Sequence, residues 1–176
     1  MTQLQEIKIS QIQPTEFLIP EDRFNSLMFL YEKTSLNVKP IHGYLIEDTF
    51  VPEDGNNRSL LLYEKGLETI PAYVNSLDEF ADDVLELAEM TKLCGVSKVS
   101  HLKNRKVAEK EYNSLREITD LIRNKEDLNN FFDAFGLSSF EELMYKITNE
   151  YEESLKICKE VFGVKSYSEV LNRVIR

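Results

Sequence analysis

Glu53-Asp54-Gly55-Asn56-Asn57-Arg58-Ser59-Leu60-Leu61-Leu62-Tyr63-Glu64-Lys65-Gly66 is the stretch on which the reading of this chain turns. Two short extended runs, Tyr44-Leu45-Ile46 and Phe50-Val51, lead into an acid and a glycine, and an apolar run closed by a second glycine follows. That order predicts a strand, a glycine turn and a short helix. The N-terminus of such a helix presents unpaired backbone N–H groups and the positive end of the helix dipole, which together suit a phosphate or another anion. Arg58 adds a forked cation at the mouth. Taken alone, the same residues also suit an ordinary Asp-Gly turn with Arg58 in a surface ion pair.

Upstream, Ile7-Lys8-Ile9-Ser10-Gln11-Ile12 has the apolar–polar alternation of a strand with one buried face, ended by Pro14. Pro20-Glu21-Asp22 then marks a helix start, with Phe24, Leu27, Met28 and Tyr31 at helical spacing. Lys39-Pro40 breaks that helix and leads into a strand over Ile41–Ile46. His42 lies in this apolar stretch and reads as a hydrogen-bonded structural histidine. Downstream, Thr69 to Val74 reads as a closing strand, with Pro71 expected at its beginning or on a sheet edge.

From Ser76 no strand pattern returns, which divides the chain into an α/β unit, 1–75, and an all-α helical module, 76–176. Ser76 to Glu79 forms a capping box for a helix running to about Leu93, with Phe80, Val84, Leu87 and Ala88 inward and Gly95 as its stop. Further helices are expected over Arg105 to Ile122 and after Asn124, the latter carrying Phe131, Phe132 and Phe135 as core. Two more open at capping boxes, Ser139 to Glu142 and Ser166 to Glu169.

The chain has 176 residues, 42% of them apolar, and a net charge of −10. This excludes disorder as the default and disfavours a general nucleic-acid or membrane-surface binder, both of which need excess Lys and Arg. The most basic stretch, Lys98 to Arg123, has seven basic residues against four acids. Such a run more commonly forms a solvated helix face than a DNA-binding surface. Cys94 and Cys158 are far apart in sequence, as expected of reduced, buried thiols. The longest apolar run, Leu27 to Tyr31, falls far short of a membrane span, and no signal peptide is visible, so a cytoplasmic location is expected. With only His42 and His101 and no clustered cysteines, no zinc-ligand set is recognisable.

The succession of a strand, Pro14-Thr15-Glu16, a helix, Lys39-Pro40-Ile41 and a strand, followed by Asp54-Gly55-Asn56-Asn57-Arg58, a helix, Gly66 and Ile70-Pro71, resembles the ParB/sulfiredoxin fold over residues 5–75. The Asp-Gly-x-x-Arg core is similar to the Asp-Gly-His-His-Arg segment of ParB-like proteins, which include CTP-binding partition proteins, ATP-dependent sulfinic-acid reductases and free-serine kinases. The resemblance implies a nucleotide (ATP, ADP or CTP) held by Gly55, Asn56, Asn57 and Arg58, with Mg²⁺ bridging its phosphates. From the free-serine kinases it implies Glu16 as the catalytic base toward a small hydroxyl-bearing substrate and Asp54 as a metal- or hydroxyl-orienting acid. A carboxylate acting on the attacking hydroxyl, beside donors on the phosphate, is what phosphoryl transfer requires.

This chain departs from the pattern by having Asn56 and Asn57 where the kinases have two histidines. Asparagine donates to phosphate but neither carries charge nor transfers a proton at neutral pH, so binding is a better expectation than chemistry. The loop also lacks the reductases' cysteine and the partition proteins' arginine-rich motif. The alternative reading is a non-enzymatic regulatory or partition protein whose helical module contacts DNA, another protein or a second copy.

Overall fold

A computed structural model describes residues 2–34, 38–78, 80–109, 112–113, 116, 125–139, 142 and 156. It is a mixed α/β structure whose chain divides into two compact units, Met1–Glu109 and Lys110–Arg176.

In the first unit, strands β1 (Gln3–Lys8), β3 (Ile41–Ile46), β4 (Thr49–Asp54) and β5 (Thr69–Asn75) form one mixed sheet in the order β1-β5-β3-β4. β5 is antiparallel to β1 and parallel to β3, while β3 and β4 form an antiparallel hairpin. Pro71 is tolerated in this central strand because pairing with β3 begins only at Ala72, so on that side its missing N–H interrupts no ladder. Helices α1 (Glu21–Thr34) and α2 (Asn56–Glu64) complete the expected order, and a short parallel pair joins β2 (Ile19–Pro20) to β6 (Lys106–Val107).

The alternation of side chains splits the β3–β4 hairpin between two cores. Phe50, opposite Leu45, joins Ile7, Ile41, Ile70, Leu60 and Leu61 in the larger one, which also takes Phe24 of α1. Tyr44, opposite Val51, joins Ala81, Val84 and Ala88 of α3 (Ala81–Leu93) in the smaller.

Several sequence expectations shift. The first strand is Gln3–Lys8 rather than residues 7–12, because Ile9–Gln11 turns into a 3₁₀ segment that buries Ile9 and Ile12 at a spacing of three. Helix α3 starts at Ala81 instead of just after Ser76, where the Asp78 carboxylate accepts the Phe80 N–H and the Asp78 carbonyl accepts that of Ala81. Its buried face is therefore Ala81, Val84 and Ala88, with Phe80 and Leu87 exposed. The boundary expected at 76 lies inside the first unit, since Val96, Val99 and Leu102, beyond α3, complete the larger core. Arg105 does not begin a helix: a 3₁₀ segment over Val99–Asn104 precedes it and β6 follows.

Gly66 and Gly95 stop α2 and α3 in the same way. Each donates to a carbonyl three residues back, and the next residue, Leu67 or Val96, donates to one five back. This is the Schellman motif with its apolar residue in place. In the second unit Gly136 and Leu137 close α4 (Lys125–Phe135) identically. The capping box at Ser139 is made as well, with Ser139 Oγ accepting the Glu142 N–H at 3.2 Å. The Glu142 carboxylate accepts from the N–H and hydroxyl of Ser138, one residue earlier than expected, and these bonds hold it below the usual carboxylate range. The side chains of Phe131, Phe135 and Phe140, Cys158 and the helix expected from Ser166 lie outside the described residues.

Candidate functional site

The end of β4, Gly55 and the first turn of α2 form the expected strand–turn–helix corner. Gly55 has φ 124°, and a Cβ there would lie 2.2 Å from Ile41 Cγ2. Glycine is thus required both by conformation and by packing against the start of β3. The first backbone bond of α2 runs from Ser59 N–H to Gly55 O at 2.9 Å, so the N–H groups of Asn56, Asn57 and Arg58 stand ahead of the helical ladder.

The connection carrying Glu16 is fastened to this corner. Thr15 N–H donates to Asn56 Oδ1 at 3.1 Å, and Asn56 Nδ2 donates back to Thr15 Oγ1 at 3.0 Å. The Thr15 hydroxyl donates in turn to Pro52 O at 2.8 Å, and Gln13 N–H reaches Phe50 O. Buried Gln13 fixes the other side of the connection through Nε2 to Pro14 O at 2.9 Å and Val96 O at 3.1 Å. Half-buried Glu16 directly follows Thr15, beside the helix start, although about forty residues separate them in sequence.

The remaining residues have different environments. Asn56 is buried and its amide is committed to Thr15. Arg58 pairs with Asp54 and donates to Lys39 O at 3.1 Å and Pro40 O at 2.7 Å, so it clamps the ends of β4 and the 39–40 segment together. The Asp54 side chain is largely exposed, and its Oδ2 faces Arg58. Asn57 differs from both neighbours: its Oδ1 is buried and has no hydrogen-bond partner. Because most buried polar groups in folded proteins are paired, this acceptor in the first helical turn is a local sign of a ligand group that donates an N–H or O–H.

Sequence reasoning missed Thr15 and Gln13. The Pro14-Thr15-Glu16 signal draws attention to the acid, whereas the neighbouring hydroxyl makes the connection. His42, expected to be a structural histidine, is exposed on the sheet, its ring 4.9 Å from that of Tyr73. In the basic stretch, Arg105 donates to Cys94 O, and Lys106 pairs with Glu64 at 2.6 Å and lies 4.0 Å over the Phe24 ring. Two of its cations therefore serve the fold. Among the described residues no group of three His, Cys, Asp or Glu side chains is arranged to hold a metal, and no helix is long and apolar enough to cross a membrane.

No family model matches the chain, and no curated protein matches it. Among solved structures it is similar to the crystal structure of protein Atu1540 from Agrobacterium tumefaciens, with a TM-score of 0.45 and 10% identity over 94% of this chain and 93% of that one.

Proposed function

We propose that the β4–α2 corner, closed by the Thr15–Glu16 connection, binds a nucleotide through its phosphates in a ParB/sulfiredoxin-like domain. The observation that carries this reading is the reciprocal Thr15–Asn56 bonding, which brings the Glu16 segment to the N-terminus of α2. It is further supported by the expected order of strands and helices across residues 3–75. In this reading the first-turn N–H groups donate to phosphate and Asn57 Oδ1 accepts from an N–H or O–H of the ligand, while Arg58 holds the corner rigid through Asp54 and the 39–40 carbonyls. Mg²⁺, when bound, neutralises phosphate charge and needs few protein ligands.

The reaction proposed for this site is phosphoryl transfer to a small hydroxyl-bearing acceptor. Glu16 takes the hydroxyl proton as the acceptor oxygen bonds the terminal phosphorus and the bond to the departing nucleoside diphosphate breaks, and Asp54 would orient the metal or hydroxyl. The alternative of DNA binding is less well supported, because Arg105 and Lys106 are engaged within the fold.

Isothermal titration with ATP, ADP and CTP in the presence of Mg²⁺ tests the reading. Binding of at least one, weakened in Asn57→Ala, is expected; absence of binding to all three overturns it. Turnover lost in Glu16→Gln with binding retained identifies the base.

A further inference from the structure

Helix α3 turns its small residues to the sheet and its large ones outward. Ala81, Val84 and Ala88 pack on Tyr44 and Val51 of the β3–β4 hairpin, while Phe80 is 61% and Leu87 54% exposed. The rotation is fixed at both ends of the helix. At the start, the Asp78 carboxylate accepts from the Tyr44 hydroxyl at 3.0 Å and from the Phe80 N–H at 3.1 Å. At the end, Gln13 Nε2 donates to Val96 O at 3.1 Å, just beyond the Schellman turn at Gly95. Rolling α3 to bury Phe80 and Leu87 would break both sets of bonds and lift the alanines off Tyr44.

Residues three, four and seven apart share a helix face, so Phe80, Asp83 and Leu87 form one row and Asp82, Glu86 and Glu89 the row beside it. All of these side chains are exposed. Over residues 76–91 the chain has Asp78, Glu79, Asp82, Asp83, Glu86 and Glu89 and no Lys or Arg. Asp82 and Asp83 suit the positive end of the helix dipole, but Glu86 and Glu89 lie beyond the first turn, where that effect has faded. Glu89 is paired with Lys92 at 2.6 Å, whereas Asp82, Asp83 and Glu86 form no ion pair among the described residues.

We propose that this face of α3 is a docking surface for a basic amphipathic helix of another protein. Phe80 and Leu87 are two helical turns apart, about 10 Å, the interval at which apolar side chains recur along one face of a second helix. A Lys or Arg flanking that apolar stripe meets Asp83 on one side and the row of Asp82, Glu86 and Glu89 beyond it. Charge decides against the other occupants. A second copy offering the same face would bring two acidic rows together, on chains that each carry a net charge of −10. An anionic membrane surface is repelled for the same reason. No residue of either row belongs to the β4–α2 corner, so the surface does not depend on nucleotide binding.

Fluorescence anisotropy of a labelled synthetic peptide, titrated with the whole chain, tests this. The peptide has about 18 residues, long enough to become helical on contact, with Leu at i, i+3, i+4 and i+7 and Lys elsewhere. Wild type is expected to bind it about tenfold more tightly than a peptide of the same composition in scrambled order. The Phe80→Ser/Leu87→Ser variant should bind it about tenfold more weakly than wild type, the scale of truncating a central interface anchor. Asp83→Lys/Glu86→Lys should instead prefer a peptide of the same pattern with Glu in place of Lys. Equal binding of the patterned and scrambled peptides, or equal binding by wild type and Phe80→Ser/Leu87→Ser, would mean charge attraction without a docking surface and overturns the proposal, as does no binding at all. Self-association of wild type on sedimentation, lost in Phe80→Ser/Leu87→Ser, would make a second copy the occupant and overturns it too. Every substituted position is exposed, so thermal melts close to that of wild type are expected and show that the variants fold.

Discussion

Thr15 and Asn56 exchange two hydrogen bonds, from Thr15 N–H to Asn56 Oδ1 and from Asn56 Nδ2 to Thr15 Oγ1, and both residues are buried. One amide thus satisfies a backbone donor and a hydroxyl at once. In Asn56→Ala the Thr15 N–H stays buried without its acceptor and the Thr15 hydroxyl keeps only its bond to Pro52 O, so a loss of about 1–3 kcal/mol in urea unfolding is expected. Thr15→Val should be nearly as costly, and the double variant should cost less than the two single losses combined. Strict additivity would mean that the pair does not couple the segment to the helix.

Gly55→Ala meets two obstacles, the positive φ and a contact of 2.2 Å with Ile41 Cγ2. Gly66→Ala meets only one, because its φ of 76° is also positive but nothing lies within 4 Å. The second substitution is expected to cost about 1–2 kcal/mol, the price of left-handed backbone for an L residue. The first should cost clearly more and blunt the proposed nucleotide binding, since Ile41 and the helix start must move apart. Chemical denaturation of the two variants side by side checks this, and equal losses would show that the Ile41 contact relaxes freely.

The sequence carried the order of α1, β3, β4, α2 and β5 because local signals marked each: a proline and acids at Pro20–Asp22, glycine at Gly55 and Gly66, and extended apolar residues over Ile41–Ile46, Phe50–Val51 and Thr69–Val74. Register and partners were not local. Nothing near Asn56 announces that it will bond Thr15, and the bulge opposite His42 depends on how two strands meet. Ser76 and Asp78 both suit a cap, and the bonds to the Asp78 carboxylate from the Tyr44 hydroxyl and the Phe80 N–H favour the later start of α3. Strand pair β2–β6 escaped notice because two residues carry no periodicity. At the site, Gly55 and Glu16 were legible as types, whereas the structural engagement of Arg58 and the unpaired state of Asn57 are properties of the folded chain alone.

Tyr44 is 2% exposed and donates its hydroxyl to Asp78 at 3.0 Å. Burial first, and the hydrogen bond to Asp78 second, push its pKa up to about 12. A group whose folded pKa is raised holds its proton better in the native state, so this contribution is intact below about pH 10 and is lost as pH climbs toward about 12. Tyr44→Phe should remove this part of the alkaline destabilisation while lowering stability at neutral pH. Denaturation at a series of pH values, read as the difference between the two proteins, checks it; parallel curves would show that the Tyr44 hydroxyl is not the linked group.

Cys94 is fully buried, and burial pushes its thiol up to about 12 despite the opposing charge of Arg105. The thiolate is the reactive species, so native Cys94 should resist iodoacetamide and react only when the chain unfolds. Peptide mass analysis separates it from Cys158. Rapid labelling of native Cys94 would mean that the Gly95 end of α3 opens far more readily than its Schellman bonds and the bond from Gln13 Nε2 to Val96 O imply.

Asn57 makes stability and binding pull in opposite directions. An acceptor buried without a partner costs the free protein about 1–3 kcal/mol, and alanine is also the better helix former. Asn57→Ala is therefore expected to raise the free protein's stability by about 1 kcal/mol and to weaken the proposed nucleotide binding about tenfold, the scale of one lost ligand hydrogen bond. Asn57→Asp sharpens the contrast, because a carboxylate in the first turn complements the helix dipole yet repels phosphate. Thermal melts with and without ATP read both effects from one experiment. A destabilised Asn57→Ala would mean that the amide belongs to the fold, and unchanged affinity in Asn57→Asp would place the phosphate away from the first turn of α2, since a carboxylate among the donor N–H groups cannot be neutral toward an anion that they hold.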